Sequence, residues 1–129
     1  MKMHILHLQE WIEEVNMKKI EAIIRPCALE ELKDVLSKMD INGLTISQVM
    51  GCGNQNGWKE YYRGSEIFMN VLPKIEVSVV VQDEKVDHII NTIINVVKTG
   101  EIGDGKIFVS DVERVIRIRT GEEGTDALD

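Results

Sequence analysis

From Met17 onward the chain switches repeatedly between two hydrophobic periods. Residues 18–25 (KKIEAIIR) are apolar and rich in β-branched side chains, which predicts a strand that Pro26 ends. Leu29, Leu32, Val35, Leu36 and Met39 then recur every three or four residues. That spacing predicts a helix with one buried stripe, stopped by Asn42-Gly43. Residues 44–50 read as a second strand. Residues 67–72 and 75–81 are strand-like and separated by Pro73, which marks an edge or a bend because proline cannot donate to a ladder. Asp83 is placed as the N-cap of a second helix, with Glu84 favourable to its dipole. The apolar stripe of that helix is Val86, Ile89, Ile90, Ile93 and Val97, and Gly100 is a natural stop. Residues 107–109 and 115–118 supply the closing strand segments.

The second half repeats the first. Lys19-Ile20-Glu21 recurs as Lys74-Ile75-Glu76, each opening a strand that leads into a helix. Two successive strand–helix–strand units predict an α+β fold: a βαββαβ, ferredoxin-like sandwich with both helices on one face of the sheet. The other face needs a cover, so self-association is expected. At 129 residues the chain has room for one such domain, over 17–129. Residues 1–16 form a separate unit in which Ile5, Leu8, Ile12 and Val15 sit at near-helical spacing. They read as a short amphipathic helix or a start placed too early in the gene. A partner-binding helix, or metal binding by His4 and His7, is the alternative.

Charge narrows the field. Acidic residues outnumber basic ones 22 to 15, a formal net charge of −7. This argues against a nucleic-acid partner, since the phosphate backbone is met by a basic face. No apolar run approaches the roughly 20 residues of a bilayer span. The first residues lack the unbroken apolar core of a signal peptide, and Cys27 and Cys52 form no paired framework. A cytoplasmic protein is expected. His4, His7 and His88 have no nucleophile or carboxylate at diagnostic spacing, and neither cysteine has an activating partner, so no enzyme is expected.

Two stretches carry candidate chemistry. Residues 51–66 contain four glycines, three aromatics and no hydrophobic period, and connections of that length are usually functional or disordered. Residues 100–106 (GEIGDGK) have the spacing of a phosphate-binding P-loop, but Ile107 replaces its Ser or Thr. The segment also leaves a helix and enters a strand, the reverse of a P-loop, which excludes that class. What remains is three glycines that let N–H groups approach an anion, with Lys106 adding a charge. A plain turn is the alternative. Arg117 and Arg119, two apart on an expected strand, would share a face and either pair with carboxylates or hold a polyphosphate.

These motifs together — the glycine-rich loop, YRG, GEIGDGKIFVSDVERVIRIRTGE and the duplicated βαβ pattern — resemble the PII signal-transduction family from Met17 to about Glu123. The resemblance implies a cytoplasmic homotrimer that binds ATP or ADP in clefts between subunits. It implies that Mg2+ with ATP permits 2-oxoglutarate binding. It further implies a T-loop, about residues 52–70, that docks on an ammonium transporter, glutamine synthetase or a nitrogenase-related target; any membrane contact would be indirect, through the transporter. The implied nucleotide set is Thr45, Gly53, Gly103, Asp104, Gly105, Lys106, Arg117 and Arg119. Gln55, Gly57 and Lys74 would meet 2-oxoglutarate, and Gln55 would also hold the metal. Three departures stand out. Asn54 and Asn56 replace basic residues beside Gln55, Trp58 is an unusual loop residue, and Ile67 stands where uridylylated relatives carry tyrosine. With no tyrosine at 67, any covalent modification of the loop is expected on Ser65 or Tyr62. Mass spectrometry of loop peptides from native cells checks this, and a uridylyl group on Tyr61 would overturn it.

Overall fold

A computed structural model of the chain describes residues 16–41, 43–52, 59–62, 65–68 and 71–128. The strands are β1 (Met17–Ile24), β2 (Thr45–Cys52), β3 (Lys59–Tyr62), β4 (Ser65–Phe68), β5 (Val71–Gln82) and β6 (Gly105–Val112). The helices are α1 (Leu29–Lys38) and α2 (Val86–Val97), each entered through a short 3-10 turn. Four strands form one antiparallel sheet in the order β2-β5-β1-β6, and β3 pairs with β4 in a separate ribbon. This is the ferredoxin-like arrangement that the duplicated pattern predicts.

Alternation along the strands separates two faces. Ile20, Ala22 and Ile24 of β1 and Ile75, Val77, Val79 and Val81 of β5 are buried against Leu32 and Leu36 of α1 and Val86, Ile89 and Ile93 of α2. Fully burying an Ile or Leu side chain stabilises by about 1.5–3 kcal/mol, so this layer holds the fold together. The opposite face carries Ser47, Glu76, Glu21, Lys19, Lys106 and Phe108, with Phe108 54% exposed.

Several boundaries differ from those expected. Asp83 lies inside the 3-10 turn Asp83–Lys85 rather than at an N-cap, and its N–H donates to the Asn16 carbonyl (2.8 Å). Pro73 does not interrupt a strand: β5 runs through it, because β1 ends at Ile24 opposite Ile75 and leaves only β2 alongside. The segment 67–72 is divided between β4, which ends at Phe68, and β5, which starts at Val71. Backbone pairing within 59–68 means that the long connection is not wholly irregular. Helix α2 stops at Val97, where Lys98 turns extended (φ −69°, ψ 128°), before Gly100 is reached. Residues 115–118 form no strand; a lone bridge joins Ile116 to Glu123, and Gly121 donates to the Arg117 carbonyl (2.7 Å) as the chain turns back. The helix expected in 1–16 lies outside the described residues.

The end of α1 has a chemical cause. Asp40 takes a left-handed conformation (φ 60°), its N–H donates to the Ser37 carbonyl and the N–H of Ile41 to the Leu36 carbonyl, both at 3.2 Å. These are the paired bonds of a Schellman stop, with Asp40 where glycine is usual, two residues before the expected Asn42-Gly43. Left-handed backbone costs a residue with a Cβ about 1–2 kcal/mol, partly offset by the greater freedom of glycine in the unfolded chain. Asp40→Gly is therefore expected to stabilise the protein by about 0.5–1 kcal/mol, read as a higher urea midpoint at unchanged slope.

Candidate functional site

The register of the sheet gathers three cations at one end. Ile24 lies opposite both Ile75 and Gly105, and Ile23 opposite Lys106, so the end of β1, Lys74 of β5 and the start of β6 meet there. The 98–104 connection from α2 to β6 arches over this point. Lys74 is buried, and its ammonium donates to the Gly103 carbonyl at 3.0 Å. Gly51 flanks it: a Cβ there would come within 3.2 Å of Lys74 Cγ. Arg25, just past β1, donates through Nη1 to Asp104 Oδ1 (2.8 Å) and the Thr99 hydroxyl (2.9 Å), and through Nη2 to the Ile102 carbonyl (2.9 Å).

Asp104 also accepts the N–H groups of Thr99 (2.8 Å) and Gly100 (2.9 Å), and the Thr99 hydroxyl donates to its other oxygen. The Thr99 hydroxyl, these N–H groups and the Arg25 charge together hold its pKa down to about 2. Its carboxylate is thus engaged within its own loop. Gly103 (φ 101°) and Gly105 (φ 114°) adopt conformations that favour glycine, and a Cβ on Gly105 would lie 1.8 Å from the Ile23 carbonyl oxygen. Beside the loop, Ile23, Ile90, Ile94 and Val97, with Lys98 and Lys106, line a cleft of about 340 Å³.

The remaining expected site residues lie elsewhere. Thr45 begins β2, opposite Ser78 and three strand spacings, about 14 Å, across the sheet from β6. Arg117 and Arg119 follow the far end of β6. Val112 lies six residues beyond Lys106, about 20 Å of extended chain. Without a strand, no alternation places the two arginines on one face. Arg117 donates to Glu122 Oε1 (2.7 Å) and to the Asp126 carbonyl, while Arg119 is exposed. Gly53, Gln55 and Gly57 lie outside the described residues, as do the side chains of Tyr62 and Ser65. Arg25 and Thr99 were not legible as site residues. Arg25 reads as the strand's terminal charge, and only folding brings it to the loop.

The family profile described as "Nitrogen regulatory protein P-II" matches residues 17–122, starting where β1 starts. The chain belongs to the nitrogen regulatory protein P-II family. The P-II protein of Pasteurella multocida is 54% identical over 112 residues, 87% of this chain and all of that protein. P-II protein 1 of Escherichia coli K12 is 51% identical with the same coverage. Arabidopsis thaliana PII bound to citrate superposes with a TM-score of 0.71 at 40% identity, over 88% of this chain and 90% of that one. The two bacterial relatives are named as regulatory proteins. Among the described residues, no helix is long and apolar enough to cross a membrane, and no group of three His, Cys, Asp or Glu is placed to hold a metal.

Two outcomes follow from the P-II loop geometry. Asp104 is held below its ordinary value of 3.8, so the stability it contributes is complete above that pH and lost as pH falls from 3.8 towards 2. Asp104→Asn is expected to flatten the fall of the denaturation midpoint over that range, measured by urea titration at stepped pH. Gly105→Ala must separate β6 from β1 at the Ile23 carbonyl. A loss of several kcal/mol is expected, on the order of the largest single-residue effects, with a matching drop in Tm.

Proposed function

We propose that the protein is a homotrimeric, non-enzymatic PII sensor of ATP, ADP and 2-oxoglutarate. It would act in the cytoplasm on an ammonium transporter, glutamine synthetase or a nitrogenase-related target through its T-loop, about residues 52–70. One observation carries the reading: the expected nucleotide residues occupy opposite ends of the subunit. Gly103, Asp104, Gly105 and Lys106 are at one end of the sheet and Arg117 and Arg119 beyond the other, with Thr45 midway along the sheet on the opposite edge strand. A site built from both sets needs two copies, one presenting its loop end and the next its arginine end. Such a head-to-tail contact closes into a ring, and a trimer would complete three equivalent sites.

The chemistry at each end fits a nucleotide. Left-handed glycines expose backbone N–H groups to an anion, and Lys106, Arg117 and Arg119 supply the charge that a polyphosphate requires. Lys74 lies one side chain from that loop, within reach of a 2-oxoglutarate carboxylate if it releases the Gly103 carbonyl. Gln55 would hold Mg2+ together with the phosphates, and the metal would offset the charge of a dicarboxylate bound beside them. Gly53 and Gly57 would let the backbone approach both ligands. Asn54 and Asn56 favour one alternative, a PII-like trimer with another effector and partner, because two flanking positive charges are missing.

Calorimetry with ATP, ADP and 2-oxoglutarate separates the readings. Nucleotide binding, with 2-oxoglutarate binding only when Mg2+ and ATP are present, is expected. ATP binding indifferent to 2-oxoglutarate favours the alternative, and no nucleotide binding overturns both. Subunit mixing tests the shared site: Lys106→Gln and Arg119→Gln trimers should each bind poorly, yet unfolding and refolding them together should restore about one site in four. No recovery on mixing would place both residues in one subunit's site.

A further inference from the structure

The geometry points to Arg25 as a positioning residue that holds the 99–105 loop in its anion-binding conformation, an assignment that rests on the nucleotide reading above. Arg25 touches that loop at three places: the Thr99 hydroxyl near its start, the Ile102 carbonyl in its middle and the Asp104 carboxylate near its end. Lys74 adds a fourth tie, to the Gly103 carbonyl. Two successive carbonyls, those of Ile102 and Gly103, are therefore drawn towards side-chain cations. In a trans peptide the C=O and N–H point in opposite directions, and the chain has no cis peptide among its described residues. The N–H groups of Gly103 and Asp104 are thus directed away from Arg25 and Lys74. Successive N–H groups turned to one side form a concavity for an anion.

The guanidinium is suited to this task. Its rigid fork reaches a hydroxyl, a carboxylate and a carbonyl at once, which a single ammonium on a flexible stem cannot reproduce. Without it the Ile102 carbonyl loses its partner, and the peptide between Ile102 and Gly103 becomes free to turn over. Glycine at 103 makes that reversal inexpensive, because both halves of its conformational map are open. Asp104 would keep its bonds to Thr99 and Gly100, so the loop would stay closed at its base while its phosphate-facing amides lost their common direction. Arg25 contacts no phosphate in this scheme; it acts through Ile102 and Asp104.

The test uses the full-length protein and compares wild type with Arg25→Ala, Arg25→Lys, Asp104→Ala and the Arg25→Ala/Asp104→Ala pair. ATP affinity by calorimetry should fall about tenfold in Arg25→Ala, on the scale of one lost charge-assisted hydrogen bond, with only part regained in Arg25→Lys. The double variant should lose about as much as the single ones rather than the product of both, since the two residues act as one unit. Amide exchange should quicken in residues 99–105 of Arg25→Ala and stay unchanged in α2. Wild-type affinity in Arg25→Ala, full rescue by lysine, or exchange that quickens throughout the chain would each overturn the assignment alone. Failure of the wild type to bind ATP would overturn the nucleotide reading and this assignment with it.

Discussion

At the end of β1 the backbone of Gly105 approaches the Ile23 carbonyl so closely that a single added carbon would lie 1.8 Å from its oxygen. This contact seats β6 on β1 in the register that puts Lys106 beside Ile23. It also determines where the connection from α2 must come down, over Arg25 and Lys74. A wider spacing would move Asp104 off the guanidinium and Gly103 off the Lys74 ammonium. The whole loop end of the molecule depends on an absent Cβ.

The consequence is a fold with two different ends. One end concentrates Arg25, Lys74 and Lys106 around a glycine-rich turn; the other carries Arg114, Arg117 and Arg119 among Glu122, Glu123 and Asp126. The net charge of −7 conceals this arrangement, since it averages an acidic exterior with one local cationic cluster and one end where arginines and carboxylates are mixed. The polar open face of the sheet has the same logic: Lys19, Glu21, Glu76 and Ser47 are far from an apolar core, yet they interleave with Ile23, Val80 and Phe108.

Much of this was legible in the sequence. The stripes Leu29–Met39 and Val86–Val97 mark both helices, because burial on one side imposes a 3.6-residue period. Lys19-Ile20-Glu21 and Lys74-Ile75-Glu76 mark the duplicated strands. Local terminations were less legible. Asp40 ends α1 by adopting a conformation that composition would assign to Gly43, and residues 115–118, apolar enough for a strand, make only a lone bridge, to Glu123, where the chain turns back beyond the end of β6. The glycines and Lys106 stand out as candidate anion ligands, but Arg25 and Thr99, which tie the loop together through Asp104, do not.

The sequence by itself determined the order of the two helices and the four sheet strands around them, the buried stripes and the family, since each is written in spacing and motif over short windows. Tertiary structure alone decided which charges meet. Arg25 and Asp104 are 79 residues apart in the chain and 2.8 Å apart in the fold, and Lys74 reaches Gly103 across another 29. Contacts of that kind depend on strand register, which no local pattern encodes. They follow only once the antiparallel ladder has aligned Ile24 with both Ile75 and Gly105.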